Sequence, residues 1–185
     1  MGSEMCIRDS WRLIRSWKCL ACGRCCKKYR VNLTQEEYEK IARYWPQEVK
    51  RTGDGFYLKR RPDGGCRFLW GKLCYLQILN IKPLACKLWP FMILTRPDKM
   101  DINFEGLYQF KNKEYFVYLN PKCSGINKGD PLNLKKVIEE VINLWLGLKK
   151  NQYYSTNRES LLSTLVVSQE YKEYKIENRF SFKKK

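Results

Sequence analysis

The chain has no histidine among its 185 residues. That absence excludes zinc fingers of the mixed cysteine–histidine kind, Rieske centres and histidine-held catalytic zinc. It also removes the side chain most often used as a general base near neutral pH. Acidic residues are scarce: 19 against 36 lysines and arginines, for a net charge of +17. No apolar run reaches the roughly 18 residues a membrane-spanning helix needs. The longest apolar region, residues 73–94, is interrupted by Lys82, Pro83, Lys87 and Pro90. No apolar h-region opens the chain, so a secretory signal is not expected. A glycine-rich phosphate loop and a nucleotide fingerprint are also missing.

What the chain does have is cysteine. Cys19, Cys22, Cys25 and Cys26 fall within eight residues, in the order Cys19-Leu20-Ala21-Cys22-Gly23-Arg24-Cys25-Cys26. Each CxxC step is a short turn that lets two sulfurs face one centre, and Gly23 tolerates the positive φ such loops use. Cys66, Cys74, Cys86 and Cys123 come later, at wide intervals. With no export signal the expected compartment is the reducing cytoplasm, where clustered cysteines read as metal ligands or redox groups instead of disulfides. Soft sulfur ligands favour zinc or an iron–sulfur cluster over magnesium or calcium. The opposing reading leaves the four scattered cysteines as ordinary buried thiols.

The positive charge has two readings. It suits an acidic protein or nucleic-acid partner. It also suits the thiols themselves: Lys18, Arg24, Lys27, Lys28 and Arg30 surround the first four cysteines with no acidic residue among them. Cations lower thiol pKa values and offset the negative charge of a thiolate centre.

Hydrophobic content of 44% with 14% aromatics predicts a folded globule large enough for a real core. Residues 1–10 look unlike the rest of the chain and read as a non-native leader, which sets Cys6 aside. Residues 11–150 read as one cysteine-cluster domain, and 151–185 as a C-terminal helix and basic tail. The fold class expected is α+β: a small metal-stabilised domain with short β-hairpins and a few packing helices.

The pattern along the chain supports this. Thr34-Gln35-Glu36-Glu37 is a capping box, and Tyr38, Ile41, Ala42 and Trp45 then recur at helical spacing until Pro46. Strands are expected over 56–61 and 66–70, joined by Pro62-Asp63-Gly64-Gly65, so Cys66 and Cys74 flank a hairpin. Pro83 and Pro90 stiffen the chain around Cys86, with Trp89 and Phe91 placed to form a dry wall. Further strands are expected over 101–104, 107–110 and 115–119, the last two joined through Lys111-Asn112-Lys113. Cys123 lies in a turn after them. Asp130 and Pro131 open an amphipathic helix through Leu134, Val137, Ile138, Val141, Trp145 and Leu148. Another helix is expected over 157–167, with a basic tail beyond Tyr174.

In this order the chain resembles the YkgJ-type cysteine-cluster proteins, the CxxCxxCC family of zinc- or iron-chelating domains. The resemblance runs from Cys19 to about Gly129. It rests on the CxxCxxCC block and on a cysteine between a basic-Pro pair, Lys82-Pro83, and Trp89-Pro90-Phe91. Family members usually carry Arg-Pro at the first place, and Cys-Pro-Gly where this chain has Cys123-Ser124-Gly125. What the resemblance implies is one module using all eight cysteines: Cys19, Cys22, Cys25, Cys26, Cys66, Cys74, Cys86 and Cys123. The arithmetic of eight thiols matches two four-sulfur sites. The adjacency of Cys25 and Cys26 also suggests two centres, because adjacent side chains leave the backbone in different directions: part of the CxxCxxCC block feeds one centre, and the remaining thiols join the distant cysteines at the other. A single cluster with spare thiols is the competing arrangement.

The expected function is therefore a metal-binding cysteine-cluster protein holding an iron–sulfur cluster or cysteine-ligated zinc. The ferredoxin-like CxxCxxC opening favours iron–sulfur, although Cys26 follows at once and Lys27 replaces the proline of ferredoxins. Tyr29 stands where a radical S-adenosylmethionine enzyme would have its third cysteine. Two alternatives stand beside this reading. One is an iron–sulfur oxidoreductase or lysine-modifying enzyme, since flagellin lysine methylases carry a similar block. The other is a nucleic-acid-binding zinc module, using Tyr153-Tyr154 and Tyr171 to Tyr174 to stack on bases.

Overall fold

The computed structural model describes residues 9–70 and 73–157. The helix expected over 157–167, the basic tail and Cys6 fall outside the described residues, apart from Asn157. The elements in chain order are β1 (Asp9–Ser10), α1 (Arg24–Lys28), β2 (Asn32–Leu33), α2 (Gln35–Ala42), β3 (Val49–Thr52), β4 (Gly55–Leu58), β5 (Leu69–Trp70), β6 (Leu73–Cys74), α3 (Tyr75–Ile78), α4 (Leu84–Leu88), β7 (Phe91–Leu94), β8 (Leu107–Phe110), β9 (Lys113–Leu119) and α5 (Leu134–Trp145). This is a small α+β domain.

Two packing centres organise it. The first is an antiparallel sheet under one long helix. β9 is its middle strand: β7 pairs along one edge, and β8 and β1 share the other. β8 and β9 are the expected hairpin, turned by Lys111 and Asn112, both at positive φ. α5 lays Val137, Ile138, Val141 and Ile142 onto this sheet, all fully buried with Val117. Asp130 behaves as a cap: its carboxylate accepts the Leu132 N–H at 2.9 Å, over a 3-10 turn that leads into α5. Ser10, the last residue of the expected leader, is buried and donates its hydroxyl to the Glu105 carbonyl.

The second centre is smaller. The sheet β2-β4-β3 and helix α2 close over Ile41, Trp45, Leu58, Phe68 and Leu76. The capping box forms as the sequence predicts, with Thr34 and Glu37 bonding reciprocally at 3.0 and 3.2 Å. The Cys66–Cys74 region is folded otherwise than expected. Only Leu69–Trp70 pair with Leu73–Cys74, while Cys66 makes a single bridge to Arg60. Residues 101–104 are turns and not a strand. There the Asp101 carboxylate accepts the N–H groups of Glu105 and Gly106 and the Tyr118 hydroxyl, at 2.7–2.8 Å. That local bonding overrides the alternation.

Candidate metal centre

The cysteines come from five stretches of chain, and separate devices bring each to the seam between the two packing centres. Cys19 follows a short zipper. Trp17 bridges Ile126, Lys18 N–H donates to the Gly125 carbonyl at 3.1 Å, and Asn127 N–H to the Ser16 carbonyl at 2.8 Å. Gly125 is needed there, because a Cβ would collide with the Lys18 backbone. The zipper carries Cys123 to the Cys19 segment, and the Trp17 indole N–H lies 3.4 Å from Cys123 Sγ.

Cys25 and Cys26 sit in the first turn of α1. Gly23 starts that helix in the left-handed region at φ 68°, where a side chain would strain the backbone. Their Sγ atoms are 3.9 Å apart. The expectation that adjacent side chains diverge therefore does not hold: the two sulfurs are neighbours. Cys66 is tied to this helix by its own N–H, which donates to the Cys26 carbonyl at 2.7 Å. Cys74 ends β6 opposite Leu69, and Cys86 lies in α4. Tyr29 and Trp89 stack at 4.1 Å, pinning the end of α1 to the end of α4.

All eight cysteines, Cys19, Cys22, Cys25, Cys26, Cys66, Cys74, Cys86 and Cys123, line one cavity of about 150 Å³. Cys66 is buried, Cys22 is exposed and the other six are partly buried. Trp89 lines the same cavity as expected. Phe91 instead enters the sheet–helix core, edge-on to Trp17.

Burial makes most of these sulfurs poor as bare thiolates. Burial pushes Cys19, Cys66, Cys74 and Cys86 above the usual thiol range. Cys25 and Cys26 split: the hydrogen bond between them pulls Cys25 down to about 6 and pushes Cys26 up. Such a set suits a soft cation, which replaces the thiol protons and supplies the charge that burial denies. Among the described residues no three cysteine or acidic side chains are gathered tightly enough to close on one ion. The donor chemistry fits a thiolate-held metal.

Arg60 acts on Cys66, but the cation that reaches most of the other thiols is not one of those flanking the CxxCxxCC block. Its charge lowers Cys19, Cys25, Cys74 and Cys86 together, and it belongs to Lys82. The Lys82 ammonium donates to Gln77 at 3.2 Å and to Gln152 at 2.9 Å. Arg24 and Arg30 also line the cavity, but Arg24 donates to the Lys122 carbonyl and Arg30 pairs with Asp54. Lys82 was readable only as the basic-Pro pair, because its partners lie five and seventy positions away.

A second feature escaped the sequence reading altogether. Residues 152–157 run as a strap beside the cavity, and Ser155, Thr156 and Asn157 line it. Glu140 of α5, 3% exposed, gathers the N–H groups of Tyr153, Tyr154 and Ser155 at 2.9–3.1 Å and accepts the Ser155 hydroxyl. Thr156 then meets Gln77, and Asn157 donates to the Cys19 carbonyl. The only available signal was a charged residue within the apolar stretch of α5.

Comparison with known proteins agrees with the site. A family model described as "Putative zinc- or iron-chelating domain", CxxCxxCC, matches residues 18–124. The chain is 28% identical over 159 residues to "Uncharacterized protein MJ0661" of Methanocaldococcus jannaschii, covering 74% of this chain and 86% of that relative. No solved structure matches.

Proposed function

The chain belongs to the CxxCxxCC family of zinc- or iron-chelating domains, and on that premise we propose that its eight cysteines hold metal as thiolates, with an iron–sulfur cluster as the native group. The observation that carries the reading is the convergence of eight thiols and no histidine on one cavity. Iron–sulfur clusters take four thiolates, and the CxxCxxC opening is the spacing that ferredoxins use. When bound, the cluster supplies a one-electron couple. The chain's own residues do the rest. Lys82 offsets thiolate charge without taking a ligand position. The stacked Tyr29 and Trp89 and the strap at 152–157 limit water at the cavity wall. Lys82 keeps the cation of the family's basic-Pro pair but not its bidentate geometry.

No helix among the described residues is long and apolar enough to cross a membrane.

Anaerobic purification with elemental analysis tests the proposal. A brown chain with iron and sulfide, bleached by dithionite, is the expected result. A colourless chain with stoichiometric zinc would replace iron–sulfur by structural zinc and leave the thiolate site intact. A chain free of both metals would remove the reading.

A further inference from the structure

Resting on the thiolate reading above, we propose that the eight cysteines divide into two quartets of unequal exposure. Cys26, Cys66, Cys74 and Cys86 form an inner, structural centre. Cys19, Cys22, Cys25 and Cys123 form an outer centre open to solvent at Cys22.

The division follows the two packing centres. Cys66 is a buried member of the smaller core, and Cys26, Cys74 and Cys86 pack against that same core. Cys19 and Cys123 pack against the other, sheet–helix core. Each group is also tied by its own backbone. Cys26 and Cys66 are joined by the N–H to carbonyl bond at 2.7 Å, whereas Cys19 and Cys123 are joined through the zipper from Ser16 to Asn127.

Cys25 is the residue at the seam. Its sulfur lies 3.9 Å from that of Cys26. It packs against neither core, and the inner group already has four sulfurs. Four-sulfur closure therefore assigns it outward. Exposure separates the roles. Structural thiolate sites are closed by protein, whereas sites that exchange ligands or electrons keep an open side. Cys22 is the one exposed thiol among the eight described.

The test uses the full-length reduced chain, freed of metal and titrated with zinc(II), then challenged with EDTA while zinc release and thermal melting are followed. Two zinc ions per chain are expected, leaving in two phases. The first phase should leave the melting transition little changed, and the second should collapse it. Cys123→Ser and Cys25→Ser should each lose about half the zinc and abolish the fast phase. Cys66→Ser should lose the slow phase and lower the melting temperature. If Cys66→Ser does not fold, the wild-type release and melting experiment still decides. One zinc per chain, single-phase release, or complete loss of zinc in Cys123→Ser would overturn the division. None of these would touch the thiolate reading, which instead falls if the natively purified chain holds neither iron nor zinc.

Discussion

Glu140 shows how one side chain can hold a site it never touches. Its two oxygens receive three backbone N–H groups and a hydroxyl from the strap, and the strap in turn supplies Gln152 to Lys82 and Asn157 to the Cys19 carbonyl. Hydrogen bonds to a charged acceptor are worth more than neutral ones, and buried donors left unpaired are costly. Glu140→Gln keeps the shape but brings an amide N–H₂ against donors. We expect it to destabilise the chain by about 2 kcal/mol in urea unfolding. Glu139→Gln, one position away, is the control. Among the described residues the Glu139 carboxylate meets Lys135 and the Tyr108 hydroxyl, at 4.0 and 3.3 Å, and its loss should cost well under half as much. Equal effects from the two would mean that the strap bonds contribute little.

At the scale of elements, the same logic links α2 to α4. Glu37 closes the capping box with one oxygen and with the other accepts the N–H of Leu84, the first residue of the helix that carries Cys86, at 2.6 Å. Thr34→Ala removes only the cap and should cost about 1 kcal/mol. Glu37→Ala leaves the Thr34 hydroxyl on the residue 37 N–H but removes the reciprocal half of the box and the α4 anchor together, for about 2 kcal/mol. Denaturant unfolding ranks the two. Metal retention separates them further, since only Glu37→Ala should loosen the helix under Cys86. This pair also marks how far the sequence could be read. The capping box, the β8–β9 hairpin and the α5 stripe were legible because each is a local pattern of period or cap. The two-residue strands β2, β5 and β6 carry no period to detect. The 101–104 turns were hidden because Asp101 bonds to residues up to seventeen positions away. The eight cysteines that line the cavity stood out by type and spacing. The grouping proposed for them did not, because it rests on which core each thiol packs against, and of the neighbours Cys25 and Cys26 only Cys26 packs on the smaller core.

Across the whole molecule, the two packing centres should depend on metal to different degrees. The sheet–helix core is filled by Val117, Val137, Ile138, Val141 and Ile142, each at most 1% exposed, and no cysteine is among its buried members. Burial of branched side chains at that density holds a core without help; each contributes roughly 1.5–3 kcal/mol. The smaller core has fewer residues, two- to four-residue strands, and Cys66 among its buried members. It also carries α3 and the Cys86 side of α4, helices of four and five residues too short to persist alone, while Leu88 of α4 packs on the other core. Metal removal under reducing conditions should therefore act unevenly, with local opening confined to one region. Hydrogen exchange after verified chelation is expected to show faster exchange across residues 66–70 and 74–88, while amides of β9 and α5 stay protected. Loss of protection in both regions together would mean that the two cores fold as one unit. Unchanged protection in both would mean that metal gives the smaller core no stability, so that its short helices stand on packing alone.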